Sequence, residues 1–122
     1  MAPCRILVVE DEPLIAAEIA GMLAAMGYHT VGPVAAVYQA LLLIETEPVD
    51  AAILDVNVSD GHITPVAELL LDRGIPVLLA TGYEEYALSE RLMTLPRLQK
   101  PYTSDQLMNE VRNICARVMS RT

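Results

Sequence analysis

Five short apolar runs recur along the chain at a spacing of roughly twenty residues, and each is followed by a segment with helical periodicity. The runs are "RILVVE" (about 5 to 10), "HTVGPV", "DAAILD", "IPVLLA" and the shorter "PRLQ". "IPVLLA" is apolar without interruption, the mark of a strand covered on both faces. Between the runs, Pro13 opens a helix with Ile15, Ile19, Met22, Leu23 and Met26 on one stripe, and Gly27 ends it. A second helix is expected from about Ala35 to Glu47, with Val37, Leu41 and Ile44 on its face and Pro48 beyond its end. After the loop "VNVSDG", a third helix begins near Pro65, carries Val66, Leu69 and Leu70, and closes at Gly74. "TGYEEYALSERLMT" reads as a loop and short helix around Glu85 to Met93. The last helix runs from Ser104, a good N-cap, to about Met119, with Leu107, Val111, Ile114, Cys115 and Val118 in register. Alternation of this kind predicts an α/β fold, a parallel sheet with helices on both faces.

The 122 residues have room for one domain, so any output comes from that domain's own surface. With five Tyr and neither Phe nor Trp, its core must be aliphatic. A formal charge of -8 argues against a phosphate backbone or an anionic lipid surface as partner. No signal peptide is visible, because acids follow at once on Ile6 to Val9, and the longest apolar stretch carries Glu18 in its middle. A cytoplasmic protein is expected. Cys4 and Cys115, two thiols at opposite ends of such a core, show no metal spacing and need no disulfide, so both are expected buried and reduced. His29 and His62 lack metal-like partners and read as ordinary surface or strand-end residues.

In open parallel sheets, ligands bind outside the carboxyl ends of the strands. Reading each run to its end gives Glu10 and Asp11 after strand one, Asp55 after strand three, Thr81 after strand four and Lys100 after strand five. A parallel sheet gathers these positions at one edge. Three carboxylates gathered there would force one to keep its proton unless a cation joined them. Mg2+ fits, since it takes octahedral oxygen ligands at about 2.0 to 2.1 Å from one or two carboxylates, waters and a substrate phosphate. Asp11 and Asp55 are the direct ligands on this reading, Glu10 can reach the ion through water, and the backbone carbonyl of Asn57 is a further candidate oxygen. A carboxylate beside Mg2+ can also attack phosphorus and form an acyl phosphate. Phosphoryl transfer asks mainly for positioning and for neutralised equatorial oxygens, which Mg2+, Lys100 and Thr81 with nearby loop amides can supply.

"VVEDEP", "ILDVNVSDG", "LLATGY" and "LQKPY", in this order over essentially the whole chain, resemble the receiver domain of the two-component response-regulator family. That resemblance implies a flavodoxin-like sheet of five parallel strands in the order 2-1-3-4-5 and a cis peptide between Lys100 and Pro101. It implies Asp55 as phospho-acceptor, Glu10 and Asp11 as the acid pair, Thr81 as the switch hydroxyl and Lys100 as the phosphate-binding lysine. A histidine kinase or histidine phosphotransfer protein would be the donor, with Mg2+ as cofactor. With no nucleic-acid-binding or output module in residues 1–122, the response would be a protein contact on a face built from the fourth helix, strand five and the last helix, or competition for phosphate. The oligomeric state is open.

The chain also departs from the family pattern. Leu98 stands where members usually carry an aromatic ring two residues before the lysine, and Gly82 stands where Ala is commoner after the hydroxyl residue. Tyr83 or Tyr86 is a candidate for the moving ring; the alternative for these and Tyr102 is rings packed with hydroxyls in water. "ATGY" is similar to the same stretch in stand-alone receivers paired with atypical histidine kinases. The competing function is a Mg2+-dependent phosphohydrolase of small phosphoesters with the same Asp nucleophile. Such enzymes usually carry a second acid, where this chain has Asn57, and a cap for which no insertion is long enough. A flavin-binding fold of the same topology is disfavoured because the acidic cluster would repel a flavin phosphate.

Overall fold

A computed structural model describes residues 3–82 and 89–120. Counting only the strands of the main sheet, the elements are β1 (Arg5–Val9), α1 (Pro13–Ala25), β2 (His29–Val34), α2 (Val37–Thr46), β3 (Ala51–Asp55), α3 (Thr64–Asp72), β4 (Val77–Thr81), α4 (Glu90–Met93), β5 (Arg97–Gln99) and α5 (Ser104–Ser120). All neighbouring strands pair in parallel, in the order β2-β1-β3-β4-β5. The five-stranded α/β sheet expected from the sequence is therefore the one observed.

Period-two alternation within each strand feeds two separate apolar layers. Leu7 and Val9 of β1, Leu54 of β3 and Leu79 of β4 face α2 and α3, where Ile44, Val66 and Leu70 complete the cluster. Ile6, Val8, Ile53 and Leu78 point the other way, onto Ile19 and Leu23 of α1 and Leu107, Val111 and Ile114 of α5. Because both faces are covered, the central strands are apolar between Arg5, at the amino end of β1, and the polar residues at their carboxyl ends. Truncating a side chain as buried as Leu54, to alanine, would cost about 2–5 kcal/mol.

The helix ends follow local chemistry that the sequence shows in part. Gly27 (φ +86°) and Gly74 (φ +72°) take the left-handed conformation that closes α1 and α3. In each case the next amide reaches back into the last turn, Tyr28 N–H to the Leu23 carbonyl and Ile75 N–H to that of Leu70, both at 2.9 Å. At the start of α5, however, the N-cap is Thr103 rather than Ser104. Thr103 Oγ1 accepts from the Gln106 amide (3.1 Å) while Gln106 Oε1 accepts from the Thr103 amide (2.8 Å), a reciprocal capping box.

Other expectations are changed or only partly met. The segment "VNVSDG" is not a plain loop but an antiparallel ribbon of Asn57–Val58 with Gly61–His62. Its turn residue Asp60 accepts from the amides of Val37 (2.6 Å) and Tyr38 (3.2 Å), so α2 starts at Val37, two residues later than its apolar pattern suggests. Of the fourth helix, residues 90–93 form a single turn capped by Ser89, while the expected start at Glu85 lies outside the described residues. Finally, Cys4 and Cys115 are not apart. α5 returns across the face of the sheet toward the amino ends of β1 and β3, placing Cys115 with Ile6 and Ala51 and bringing its Sγ to 3.0 Å from that of Cys4. Both thiols are free, Cys115 is buried, and Cys4 is only half-buried.

Candidate functional site

β1, β3, β4 and β5 end at the same edge, and their last residues leave the apolar layers together. Glu10, Asp55 and Thr81 are the buried polar residues of the described chain, and they are all here. Lys100 bridges the first two, with Nζ 3.1 Å from Glu10 Oε1 and 3.0 Å from Asp55 Oδ2. Its own amide donates to the Thr81 carbonyl at 2.7 Å, which locks the exit of β5 to the end of β4. Thr81 Oγ1 makes a long contact, 3.5 Å, to the carbonyl of Leu98. Asp11 is exposed, yet one oxygen from each of Glu10, Asp11 and Asp55 lies within 4.8 Å of the others.

Position on strand ends is one part of this arrangement; backbone irregularity is the other. β2 pairs with β1 in simple register as far as Leu7–Val31, then slips, so that Val9 faces Val34. The slip coincides with Gly32 (φ +93°) and a cis Gly32–Pro33 peptide. A Cβ on Gly32 would stand 2.9 Å from the Val34 amide nitrogen and 3.3 Å from the Val8 carbonyl, so only glycine fits this close approach. In return, the Val34 carbonyl accepts from the Glu10 amide at 2.9 Å and holds Glu10 at the mouth of the site. The expected cis peptide at Lys100–Pro101 is also present.

The charges do not balance. Burial pushes the Glu10 carboxyl up to about 8, the neighbouring Asp55 adds to that, and Lys100 pulls against it. Burial also disfavours the Lys100 ammonium, but hydrogen bonds and charge from Asp55 and Glu10 outweigh it and raise Lys100 above its usual range. One ammonium thus serves two buried carboxylates with a third close by, and Glu10 retains a proton near neutral pH. The set offers hard oxygen donors in excess of their countercharge, which suits a hard divalent cation such as Mg2+. Lys100 is, moreover, the only lysine in the chain.

Of the residues the sequence singles out, Glu10, Asp11, Asp55 and Lys100 are brought together and Thr81 stands beside them. Asn57 lies in the ribbon two residues past Asp55, paired with His62. Leu98 pairs with Ala80 in the sheet and packs, half-buried, on the α1–α5 side. Tyr83 and Tyr86 lie outside the described residues. Sequence reasoning missed Gly32 and Pro33, although a Gly-Pro pair inside an apolar run is a signal for an irregular strand. It also missed a groove of about 520 Å³ between α1 and the start of α5, which has Ile15, Ile19, Met22, Tyr102 and Leu107 in its lining and Lys100 among its residues.

The family model described as response regulator receiver domain matches residues 6–112. The transcriptional regulatory protein PdtaR of Mycobacterium tuberculosis (strain ATCC 25618 / H37Rv) is 32% identical over 111 residues, which are 87% of this chain and 54% of PdtaR. The chain therefore spans about half the length of that curated relative. Among solved structures, SdrG from Sphingomonas melonis Fr1 is 42% identical, with a TM-score of 0.78 over 98% of both chains. SdrG from Pseudomonas melonis Fr1 in its BeF3-activated conformation is also 42% identical, with a TM-score of 0.74 over 92% of this chain and 97% of that one.

Proposed function

Because the chain belongs to the response regulator receiver domain family, we propose that it accepts a phosphoryl group on Asp55 from a phosphohistidine of a histidine kinase or histidine phosphotransfer protein. The observation that carries this reading is Lys100 Nζ held at about 3 Å from both Glu10 and Asp55, at an edge where Asp11 adds a third carboxylate. Glu10, Asp11 and Asp55, with the carbonyl of Asn57, would hold Mg2+, which when bound supplies charge neutralisation to the transferring phosphoryl group. Asp55 is the nucleophile. One of its carboxylate oxygens forms the bond to phosphorus while the bond from phosphorus to the donor imidazole nitrogen breaks, and the imidazole leaves with the electron pair. Lys100 draws an equatorial oxygen toward β5 by a charge-assisted hydrogen bond, and the Thr81 hydroxyl donates to another.

The apolar groove between α1 and α5 gives the donor a place to dock beside Lys100, with the exposed Leu14 at the first turn of α1. On this proposal residues 1–122 act as one receiver unit in the cytoplasm. Its phosphorylated state is read by a protein that touches α4, β5 and α5. The beryllofluoride complex of SdrG supports the same switch here, since beryllofluoride stands in for a phosphoryl group on a carboxylate.

Incubating the protein with a small phosphodonor and Mg2+ tests the reading. A base-labile adduct on Asp55, lost in Asp55→Asn and in Mg2+-free buffer, is the expected result. Phosphorylation of the Asn variant on Ser, Thr or Tyr would overturn it. Sustained phosphate release from generic phosphomonoesters would favour the phosphohydrolase instead.

A further inference from the structure

We propose that Cys4 and Cys115 form a reversible disulfide that staples the entry of β1 to α5. Their sulfurs are already 3.0 Å apart, about 1 Å more than a disulfide bond. Both backbones are held. The Cys4 carbonyl accepts from the His29 amide at 3.0 Å, which ties residue 4 to the start of the β1–β2 ladder. Cys115 belongs to α5, whose Val111 and Ile114 are fully buried in the same apolar layer. Closing the bond therefore asks for a small side-chain adjustment rather than a movement of either element.

The two sulfurs differ in a way that orders the chemistry. Cys4 is half-buried and reachable from solvent, whereas Cys115 is sheltered. Hydrogen bonds from Cys4 and then from the Tyr28 hydroxyl favour the thiolate of Cys115 and hold it below the usual thiol range, although burial opposes them. A small disulfide of the glutathione type is the oxidant. The hydrogen bond to Cys115 and burial hold Cys4 as the thiol, well above the usual range. Cys4 therefore hands its proton to the adjacent Cys115 thiolate as it attacks one sulfur of the oxidant. The other sulfur leaves as a thiolate and takes that proton from Cys115, and a mixed disulfide remains on Cys4. The Cys115 thiolate then attacks the Cys4 sulfur and expels the second small thiol. Overall, two protein thiols and one small disulfide become one protein disulfide and two small thiols. The link joins positions 111 residues apart, so it restrains nearly the whole unfolded chain in one loop. It lies at the amino edge of the sheet and does not depend on the phosphoryl chemistry proposed at the other.

The test needs only the native chain. It is equilibrated in glutathione buffers graded from reducing to oxidising, quenched in acid, and analysed by intact mass and peptide mapping, with a parallel series in denaturing urea. The expected product is a monomer lighter by two hydrogens, with Cys4 joined to Cys115, reversed by dithiothreitol and unfolding at higher urea. Its formation constant should be about tenfold or more greater in the folded chain than in the unfolded one. A lasting glutathione adduct on Cys4, intermolecular dimers, no link at the most oxidising ratio, or equal constants in both series would each overturn the proposal.

Discussion

The two edges of the sheet use similar charged groups to opposite ends. At the amino edge, Asp50 accepts from the Arg5 amide at 2.9 Å, Arg5 Nε donates to the Pro48 carbonyl at 2.9 Å, and the guanidinium meets Glu47 at 3.6 Å. Acid and base are both partly exposed there, and each has its partner. At the carboxyl edge, Glu10 and Asp55 are buried and share one ammonium. The first arrangement ties down a chain end. In the second, two buried carboxyls are met by one ammonium and Glu10 is held up to about 8, an arrangement that costs stability and that, on the function proposed above, readies the edge for a cation and a phosphoryl group. What separates a structural ion cluster from a functional one here is burial and stoichiometry, rather than residue type.

Exchanging a single acid at each edge tests that contrast most severely. Asp55→Asn should lose phosphorylation by at least about a hundredfold, since it removes the nucleophile. In Mg2+-free buffer the same variant should be about 1 kcal/mol more stable, because the buried Asp55 charge that helps hold the Glu10 carboxyl up is gone while an acceptor for Lys100 remains. Asp50→Ala should behave in the opposite way, accepting phosphate normally but losing about 1 kcal/mol as the Arg5 amide loses its acceptor. Urea unfolding in EDTA together with phosphate incorporation measures both, and a destabilised Asp55→Asn would end the comparison.

Lys100→Ala comes next. Such a variant should still accept phosphate at Asp55 but respond weakly, because Lys100 joins both carboxylates to the residue that follows β5. Throwing a two-state switch takes about 5.5 kcal/mol, and a charge-assisted contact to phosphate supplies about 1.5–3 of it. Amide shifts of β5 and α5, with and without beryllofluoride, should change less in the variant; equal changes would move the relay to Thr81 and the tyrosines beyond it.

A smaller effect follows from Glu10, whose carboxyl is held up to about 8 by burial and by Asp55. Below that pH the cation must displace a proton, so Mg2+ affinity should rise about tenfold per pH unit from pH 6 to 8 and then level off. Without metal the sign reverses for stability. A carboxyl raised from 4.5 to about 8 favours folding most at low pH, and this contribution falls as pH rises and is gone above about 8. Calorimetric titration in buffers of different ionisation enthalpy should detect the released proton, and Glu10→Gln should flatten both dependences.

Smallest of all should be Arg73→Ala. Its guanidinium reaches Glu45 at 2.5 Å, closer than any pair in the site, but both groups are exposed. A loss of about 0.5 kcal/mol or less in urea unfolding is expected. A larger loss would mean that proximity, and not burial, ranks the ion pairs of this chain.

Much of the carboxyl edge was legible before any coordinates, because each apolar run ends abruptly in the residue that matters. Glu10, Asp55, Thr81 and Lys100 could be placed by finding where a strand stops, and a parallel sheet allows one edge for such stops. What escaped depends on pairs far apart in the chain. Nothing near Val37 announces that Asp60 will cap α2, and the helical register of Cys115 does not say that Cys4 lies across from it. Likewise, Thr103 and Ser104 are equally good caps by residue type, and the choice falls to Gln106, three residues after Thr103. The kink at Gly32–Pro33 was visible as a residue pair, but its purpose, turning a β2 carbonyl onto Glu10, exists only in the assembled sheet.

The solitary lysine has a practical corollary. Isotope supplied as lysine enters this protein at one position, and that position is the bridge between Glu10 and Asp55. A spectrum of the labelled protein contains a single backbone signal, whose assignment is known before recording begins. The protein therefore carries its own reporter, readable in a mixture with unlabelled proteins and without any foreign dye or tag.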